Sequence, residues 1–257
     1  MLRVHRLPEL SPQPSDEHGT TPMRNRLLNV LPANELAELL PNLESVMLHS
    51  GDVITEPNER IDYAYFPEGA IFSLVSRMHD GATAEVGTIG EEGMVGLPLY
   101  LGAHSSLFLT LVQVPGTSWR LSTSAFVAAI ARLPVFAALV GHFAHAYLTR
   151  VSQTAACNRL HPLKQRCAQW LLLTHDRAGG SDTFQLTHEF LSYMLGVRRA
   201  GVTEAARSLQ SAGLIRYARG RVTIVDRRGL EAAACECYAS VIDHLRREQP
   251  QATGARA

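Results

Sequence analysis

The stretch Leu186 to Asp226, LTHEFLSYMLGVRRAGVTEAARSLQSAGLIRYARGRVTIVD, constrains this chain more than any other. It reads as two short helices joined by a tight turn, followed by a small β-hairpin. Thr187 is a natural N-cap, because its hydroxyl can accept from a free backbone N–H of the first turn. Leu186 and Leu191 have the spacing of a hydrophobic staple. Phe190, Leu191, Met194 and Leu195 form an apolar face, and Gly196 supplies a permissive backbone for a sharp exit. In the second helix, about Arg199 to Ala212, Val202, Ala205, Ala206 and Leu209 recur at i, i+3, i+4 and i+7 and define a buried stripe. Arg199, Thr203 and Arg207 stack on the other face. Gly213 ends the helix, and RYARGRVTI, bending at Gly220, reads as a hairpin wing. A helix with small residues inside and cations outside suits the major groove, which is about 12 Å wide and admits one helix.

An ordinary helical hairpin with a solvated basic face would share this pattern, and the charge distribution separates the two. Residues 159–228 hold 12 Lys and Arg against 5 Asp and Glu, net +7, whereas residues 23–158 hold 7 against 12, net −5. The overall charge of zero therefore hides a basic module beside an acidic one, as expected of a nucleic-acid reader joined to something else.

The 257 residues suffice for two domains of ordinary size. The most apolar helical run, Pro134 to Leu148, falls short of the roughly 20 residues a membrane span requires, so no membrane partner is expected. The N-terminus lacks a continuous apolar signal core, and a cytoplasmic protein is expected. Cys157, Cys167, Cys235 and Cys237 are too few and scattered for a disulfide scaffold. Cys235 and Cys237 could bind metal or sense redox state, but two ligands without a nearby Cys or His pair do not close a zinc site. No metal and no cofactor is therefore expected, and a small-molecule effector of unknown identity stays open.

Residues 1–22, rich in Pro, Ser and Thr, read as a disordered arm, and residues 249–257 as a disordered tail. A short helix carrying Leu36, Leu39 and Leu40 leads into the next domain. From Leu43 to about Arg120, turn signals recur every ten or so residues: Ser50-Gly51-Asp52, Pro57-Asn58, Pro67-Glu68-Gly69, Asp80-Gly81, Gly90 to Gly93, Leu101-Gly102 and Pro115-Gly116. That is the mark of an antiparallel sandwich or jelly roll, with Tyr63–Pro67, Ile71–Arg77 and Ala84–Ile89 among its strands. Ser122 or Thr123 caps a helix to Leu133. Pro134 opens a long helix at its first position. Phe136, Leu139, Val140, Phe143, Tyr147, Val151 and Thr154 follow a 3-4 spacing there and read as a dimer seam, flanked by small residues; the same face could instead pack on the β domain. His142 and His145 lack the i, i+4 spacing of helical zinc ligands. Pro162 marks a hinge, Leu163–Arg177 a helix with Cys167, Trp170, Leu171 and Leu173 as its core face, Ala178–Ser181 a Gly-rich loop, and Gly229–Arg247 one C-terminal helix. The fold class is α+β. Its domains are a β jelly roll over 23–133, a dimerisation helix over 134–158 and a winged helix-turn-helix over 159–248.

This order resembles the Crp/Fnr superfamily of bacterial transcription regulators over about Leu27 to Tyr238. LTHEFLSYMLGVRRAGVTEAARSLQSAGLI looks like that family's DNA-binding signature, and SGDVI, YFPEGAI and IGEEGMVG look like its β-roll turns. The resemblance implies a cyclic-nucleotide-binding-like roll, no enzymatic activity, and double-stranded DNA, a second copy of the chain and RNA polymerase as partners. By it, Arg199 reads guanine, whose O6 and N7 an arginine can bond together. Ala200 replaces a glutamate that contacts cytosine, and Glu204 replaces a second arginine, so the target differs and Glu204 could read a cytosine amino group or simply repel phosphate. Arg198, Thr187, His188, Arg219 and Arg221 become backbone contacts, which position without specifying. Gly93-Met94 and Ser105-Ser106 fall where cyclic-nucleotide binders carry Gly-Glu and Arg-Ser pairs. Without an arginine a buried phosphate loses about 3–5 kcal/mol, so cyclic AMP is not the expected effector of this candidate pocket.

Two other classes remain at this level. A metal enzyme of the β-roll type needs several His and carboxylates at close spacing, whereas His49, His79 and His104 are isolated. A winged helix that binds protein rather than DNA fits poorly with the outward arginines.

Overall fold

The computed structural model describes residues 5–6, 23–177 and 182–247. They form two compact units, one from residues up to Leu74 together with Thr88–Tyr147, the other from Val75–Gly87 together with Leu148–Arg247. The elements run β1 (His5–Arg6), α1 (Arg26–Asn29), α2 (Ala33–Leu39), β2 (Glu44–Leu48), β3 (Asp52–Thr55), β4 (Tyr63–Pro67), β5 (Ile71–Arg77), β6 (Thr83–Ile89), α3 (Leu97–Tyr100), β7 (Leu109–Val114) and β8 (Gly116–Ser122). Then come α4 (Thr123–Arg132), α5 (Pro134–Leu160), α6 (Leu163–Arg177), β9 (Thr183–Gln185), α7 (His188–Leu195), α8 (Arg199–Ser211), β10 (Ile215–Ala218), β11 (Arg221–Ile224), α9 (Arg227–Ala233) and α10 (Cys237–Arg247).

The first unit holds most of the expected β roll, whose strands β5 and β6 run into the segment Val75–Gly87 counted with the second. One sheet has the order β1-β3-β7-β5-β6 and the other β2-β8-β4, and the β3–β7, β2–β8 and β4–β8 pairings are antiparallel. The turn signals mark the corners: Gly51, Asn58, Gly69, Gly81 and Gly102 all have positive φ. His5–Arg6, inside the arm expected to be disordered, instead pairs in parallel with Asp52 and Val53. The rest of that arm, residues 249–257 and the loop Ala178–Ser181 lie outside the described residues.

The leading helices are tied down by polar contacts that periodicity does not show. Asn25 caps α1 by accepting from Leu27 and Leu28, and its amide donates to the carbonyls of Pro67 and Gly93 at 3.2 and 2.9 Å. Leu39 enters the core, but Leu40, expected beside it, is 46% exposed. Glu35 on α2 is buried, and its carboxylate accepts from the Val135 and Phe136 N–H groups at 3.0 and 2.8 Å. Pro134 has no N–H to satisfy, so one carboxylate satisfies the next two orphan donors of α5 and meets the positive end of its dipole. Glu35→Ala is therefore expected to lower stability by about 1–3 kcal/mol, chiefly through the buried Phe136 amide left without its acceptor. Urea unfolding would show it, and a midpoint equal to wild type would refute this capping role.

Ser122 caps α4 through the Ala125 N–H at 3.3 Å, and the chain bends by 109° before α5. No single helix among the described residues is long and apolar enough to cross a membrane. The first part of the stripe expected as a dimer seam on α5 packs inside the chain, the alternative use of the same spacing. Phe136, Leu139, Val140 and Phe143 are buried in the roll's own core, with the Phe136 ring centroid 6.0 Å from Phe66 and 5.9 Å from Phe126. Tyr147 is partly buried against the same core, 5.9 Å from Phe143, while Val151 and Thr154 are half-buried. Aromatic and aliphatic side chains at 3-4 spacing serve a helix–sheet contact as readily as a coiled coil, because both bury one stripe.

In the second unit, α6 presents Cys167, Trp170, Leu171 and Leu172 inward. Leu173 is only half-buried, so the core face is one residue away from the expected one there. The C-terminal helix expected over Gly229–Arg247 is two helices. Asp226 caps α9, Ala234 is extended, and α10 starts at Cys237. The cysteines are not scattered in space: Cys157, Cys235 and Cys237 form one buried cluster.

Candidate nucleic-acid interface

The helix-turn-helix is built from local signals that act where the sequence places them. The Thr187 hydroxyl accepts from Phe190 N–H at 3.0 Å and caps α7. Gly196 ends α7 at φ 63, and the Val197 N–H donates to the Ser192 carbonyl at 3.0 Å. That left-handed closure favours glycine, and a Cβ there would also sit 3.1 Å from the Ala84 methyl. From α6, Arg166 donates to the Leu195 carbonyl at 2.7 Å and satisfies the helix end, a contact with no sequence signature.

α8 is strongly two-faced. Val202, Ala205, Ala206 and Leu209 are 0–5% exposed, as their spacing predicts. Arg198, Arg199, Ala200, Glu204 and Arg207 are exposed. The wing is a three-stranded sheet ordered β10-β11-β9, in which β9 adds a strand that sequence patterning missed. β10 and β11 join through Arg219 and Gly220, whose φ values of 48 and 72° are those of a type I′ hairpin turn. Arg219 and Arg221 are exposed at this tip.

Three residues assigned to DNA are engaged inside the domain. The Thr187 hydroxyl is committed to its cap. The Thr203 hydroxyl donates to the Arg199 carbonyl at 3.0 Å and lies 3.1 Å from Nδ1 of His188. With that hydroxyl proton used, the ring must donate from Nδ1, so neutral His188 keeps its bare nitrogen at Nε2. The half-buried ring stacks on Tyr217 at 4.2 Å, and Nε2 is buried without a partner. Tyr217, which the sequence reading passed over, anchors this stack by donating to the Leu186 carbonyl at 2.7 Å. His188 thus locks α7 to α8 and the wing rather than facing outward.

Burial, and then the Arg199 charge, push the His188 pKa below its ordinary 6.5. The folded domain then binds fewer protons than the unfolded chain. This contribution to stability is complete above pH 6.5 and is lost as pH falls through the depressed value. Between about pH 7 and pH 5, wild type should lose melting temperature more steeply than His188→Gln. Parallel slopes would show that the ring does not titrate against folding.

The candidate effector residues are placed as follows. Met94 is 0% exposed in the roll's core, and a Cβ on Gly93 would overlap the Phe143 ring, so this half is filled by packing. Ser105 is exposed and pairs with Arg60, while Ser106 accepts from Phe108 N–H through its hydroxyl at 3.1 Å and from Asn58 N–H through its carbonyl at 2.7 Å.

Residues 165–233 match the Crp-like helix-turn-helix domain family. A crp/fnr-family protein from Eubacterium rectale superposes with TM-score 0.66 at 18% identity, covering 80% of this chain and 96% of that one. FixK2 from Bradyrhizobium japonicum gives TM-score 0.65 at 14% identity, over 75% of this chain and 98% of its own. A CRP-family transcriptional regulator from Thermus thermophilus gives 0.63 at 18% identity, over 74% and 96%. The chain carries a Crp-like helix-turn-helix domain and has the fold of these solved Crp/Fnr proteins. No match is found among curated proteins.

Proposed function

We propose that this Crp/Fnr-type regulator binds double-stranded DNA sequence-specifically as a homodimer, with α8 in the major groove. The observation that supports this most is the two-faced character of α8, whose buried stripe leaves Arg199, Glu204 and Arg207 exposed together. Arg199 and Glu204 are the base-reading candidates, and Arg198, Arg207 and Arg221 the backbone contacts. Arg219 supports the same reading independently. A non-glycine residue at φ 48 is uncommon, and holding an arginine there places a cation at the wing tip where asparagine would fit the turn better. His188 and Thr203 position the helix.

With the aromatic side of α5 occupied, the partner copy docks on its other side. Val135, Ala138, His142, His145, Thr149, Ser152 and Ala156 are exposed and recur at alternating steps of three and four residues, the spacing of a helix–helix seam with side chains small enough for close approach. Cyclic AMP is left out as effector, since a buried methionine and an exposed serine stand at the two ligand positions. DNA as the target places the protein in the cytoplasm, and RNA polymerase is the expected partner of the DNA-bound form.

Footprinting of the purified chain on fragments of its own genome tests this reading. Protected sites should be palindromic, with half-site centres about 34 Å apart. Their affinity should fall steeply between low and moderate salt, as phosphate contacts release counterions. A dimer that protects no fragment even in dilute buffer would end the proposal.

A further inference from the structure

The cysteine cluster has a shape that thiol packing alone does not explain. The His161 N–H donates to the Cys157 carbonyl at 3.0 Å, so helical geometry continues past Leu160 and the two side chains share a face at i, i+4. Cys235 and Cys237 flank Glu236 in the break between α9 and α10. The three sulfurs and a ring nitrogen of His161 all lie within 4.8 Å of one another. Cys157 Sγ is 3.5 Å from Cys235 Sγ, and Cys237 Sγ is 3.5 Å from His161 Nδ1. A tetrahedral zinc ion with Zn–S of about 2.3 Å and Zn–N of about 2.0 Å has ligand–ligand edges of about 3.5–3.8 Å. Two of the six donor–donor distances thus match an edge of the coordination tetrahedron, and none exceeds 4.8 Å.

The surroundings fit as well. Nε2 of His161, the nitrogen facing away from Cys237, is 3.2 Å from the Glu236 carboxylate, the outer-shell partner that fixes a metal-bound imidazole. Gln153 donates to Cys237 Sγ at 3.1 Å. The Gln169 amide oxygen is 3.2 Å from the Cys157 sulfur and 3.1 Å from that of Cys235. Turned over, the same amide offers its NH2 group to both sulfurs once they are thiolates. The charge of the Arg166 guanidinium reaches Cys157 and Cys235, and its Nε is buried without a partner.

We propose that Cys157, His161, Cys235 and Cys237 bind one zinc ion in a closed Cys3His site that fastens the α9–α10 junction to the end of α5. Four protein ligands leave no open position for a substrate, so the role is structural. A divalent ion would take the sulfurs as thiolates and release their protons. Two positive charges against three thiolates leave one negative charge, which Arg166 offsets. A purely apolar thiol cluster would need neither the histidine nor its carboxylate.

Elemental analysis of the full chain, purified reduced and without a metal-affinity tag, should find about one zinc per chain. Cys167→Ala removes a buried thiol outside the cluster and should keep the zinc. Cys157→Ser and Cys237→Ser should reduce it to background. Because these variants could also fail to fold, Co2+ is added to the chelator-stripped wild-type chain as a second readout. Intense thiolate-to-cobalt absorption with tetrahedral ligand-field bands, displaced by Zn2+, is the supporting result. A folded wild-type chain that takes up neither Zn2+ nor Co2+ overturns the proposal. So does a Cys157–Cys235 disulfide in protein drawn directly from cells, or zinc retained in full by both serine variants.

Discussion

Truncating Phe136 to alanine is expected to destabilise the protein by about 3–5 kcal/mol, the range for removing a buried aromatic ring, while leaving self-association of the folded chain unchanged. Phe136 is fully buried between Phe66 and Phe126 and belongs to the core of its own roll. Its loss leaves a cavity that neighbouring rings cannot easily fill, since Phe143 already lies against Gly93. The contrast is Ala138→Glu, on the exposed side of α5. That change should leave the urea midpoint of the monomer nearly intact and split the dimer, because two like charges would be forced together near a two-fold axis. Denaturation and sedimentation measured on both variants separate the roles. Phe136→Ala as a stable, fully folded monomer would return the seam to the aromatic face and remove the proposed one.

Arg199→Ala is the second large effect. Losing a bidentate contact to guanine costs about 1–3 kcal/mol per half-site, hence about 2–6 kcal/mol for a symmetric dimer. The loss should be confined to one base pair of each half-site, so the variant relaxes specificity there and keeps the rest of the operator pattern. Arg199→Lys should not restore it, because an ammonium cannot bridge O6 and N7 in the same plane. Arg219→Ala, at the wing tip, should instead weaken all sequences alike and lower the salt dependence by about one counterion per wing. Gel shifts on a panel of single-base operator variants measure both. If the two substitutions act identically on every sequence, α8 is not the reading helix.

The sequence alone determined the features whose physics is local. Thr187, Gly196 and the Val202-Ala205-Ala206-Leu209 stripe specify a helix, its stop and the next helix's buried side within a few residues, so capping and periodicity suffice. The same holds for β4, β5 and the turns at Gly51, Asn58 and Gly81, where positive φ is confined to residues that tolerate it. What the tertiary structure decided is which of two equivalent uses each local pattern serves. From Phe136 to Phe143 the 3-4 spacing on α5 is met by the chain's own roll, because any apolar surface meets the requirement and spacing does not name it. His188 turns inward because Tyr217, 29 positions away, supplies a ring to stack on. Glu35 caps a helix 100 positions later. The i, i+4 pair Cys157 and His161 was present in the sequence, but its meaning depends on a break in the last helices that brings Cys235 and Cys237 to it. Contacts of that range arise from the closure of the whole fold, where the free energy belongs to burial and satisfied polar groups rather than to any one segment.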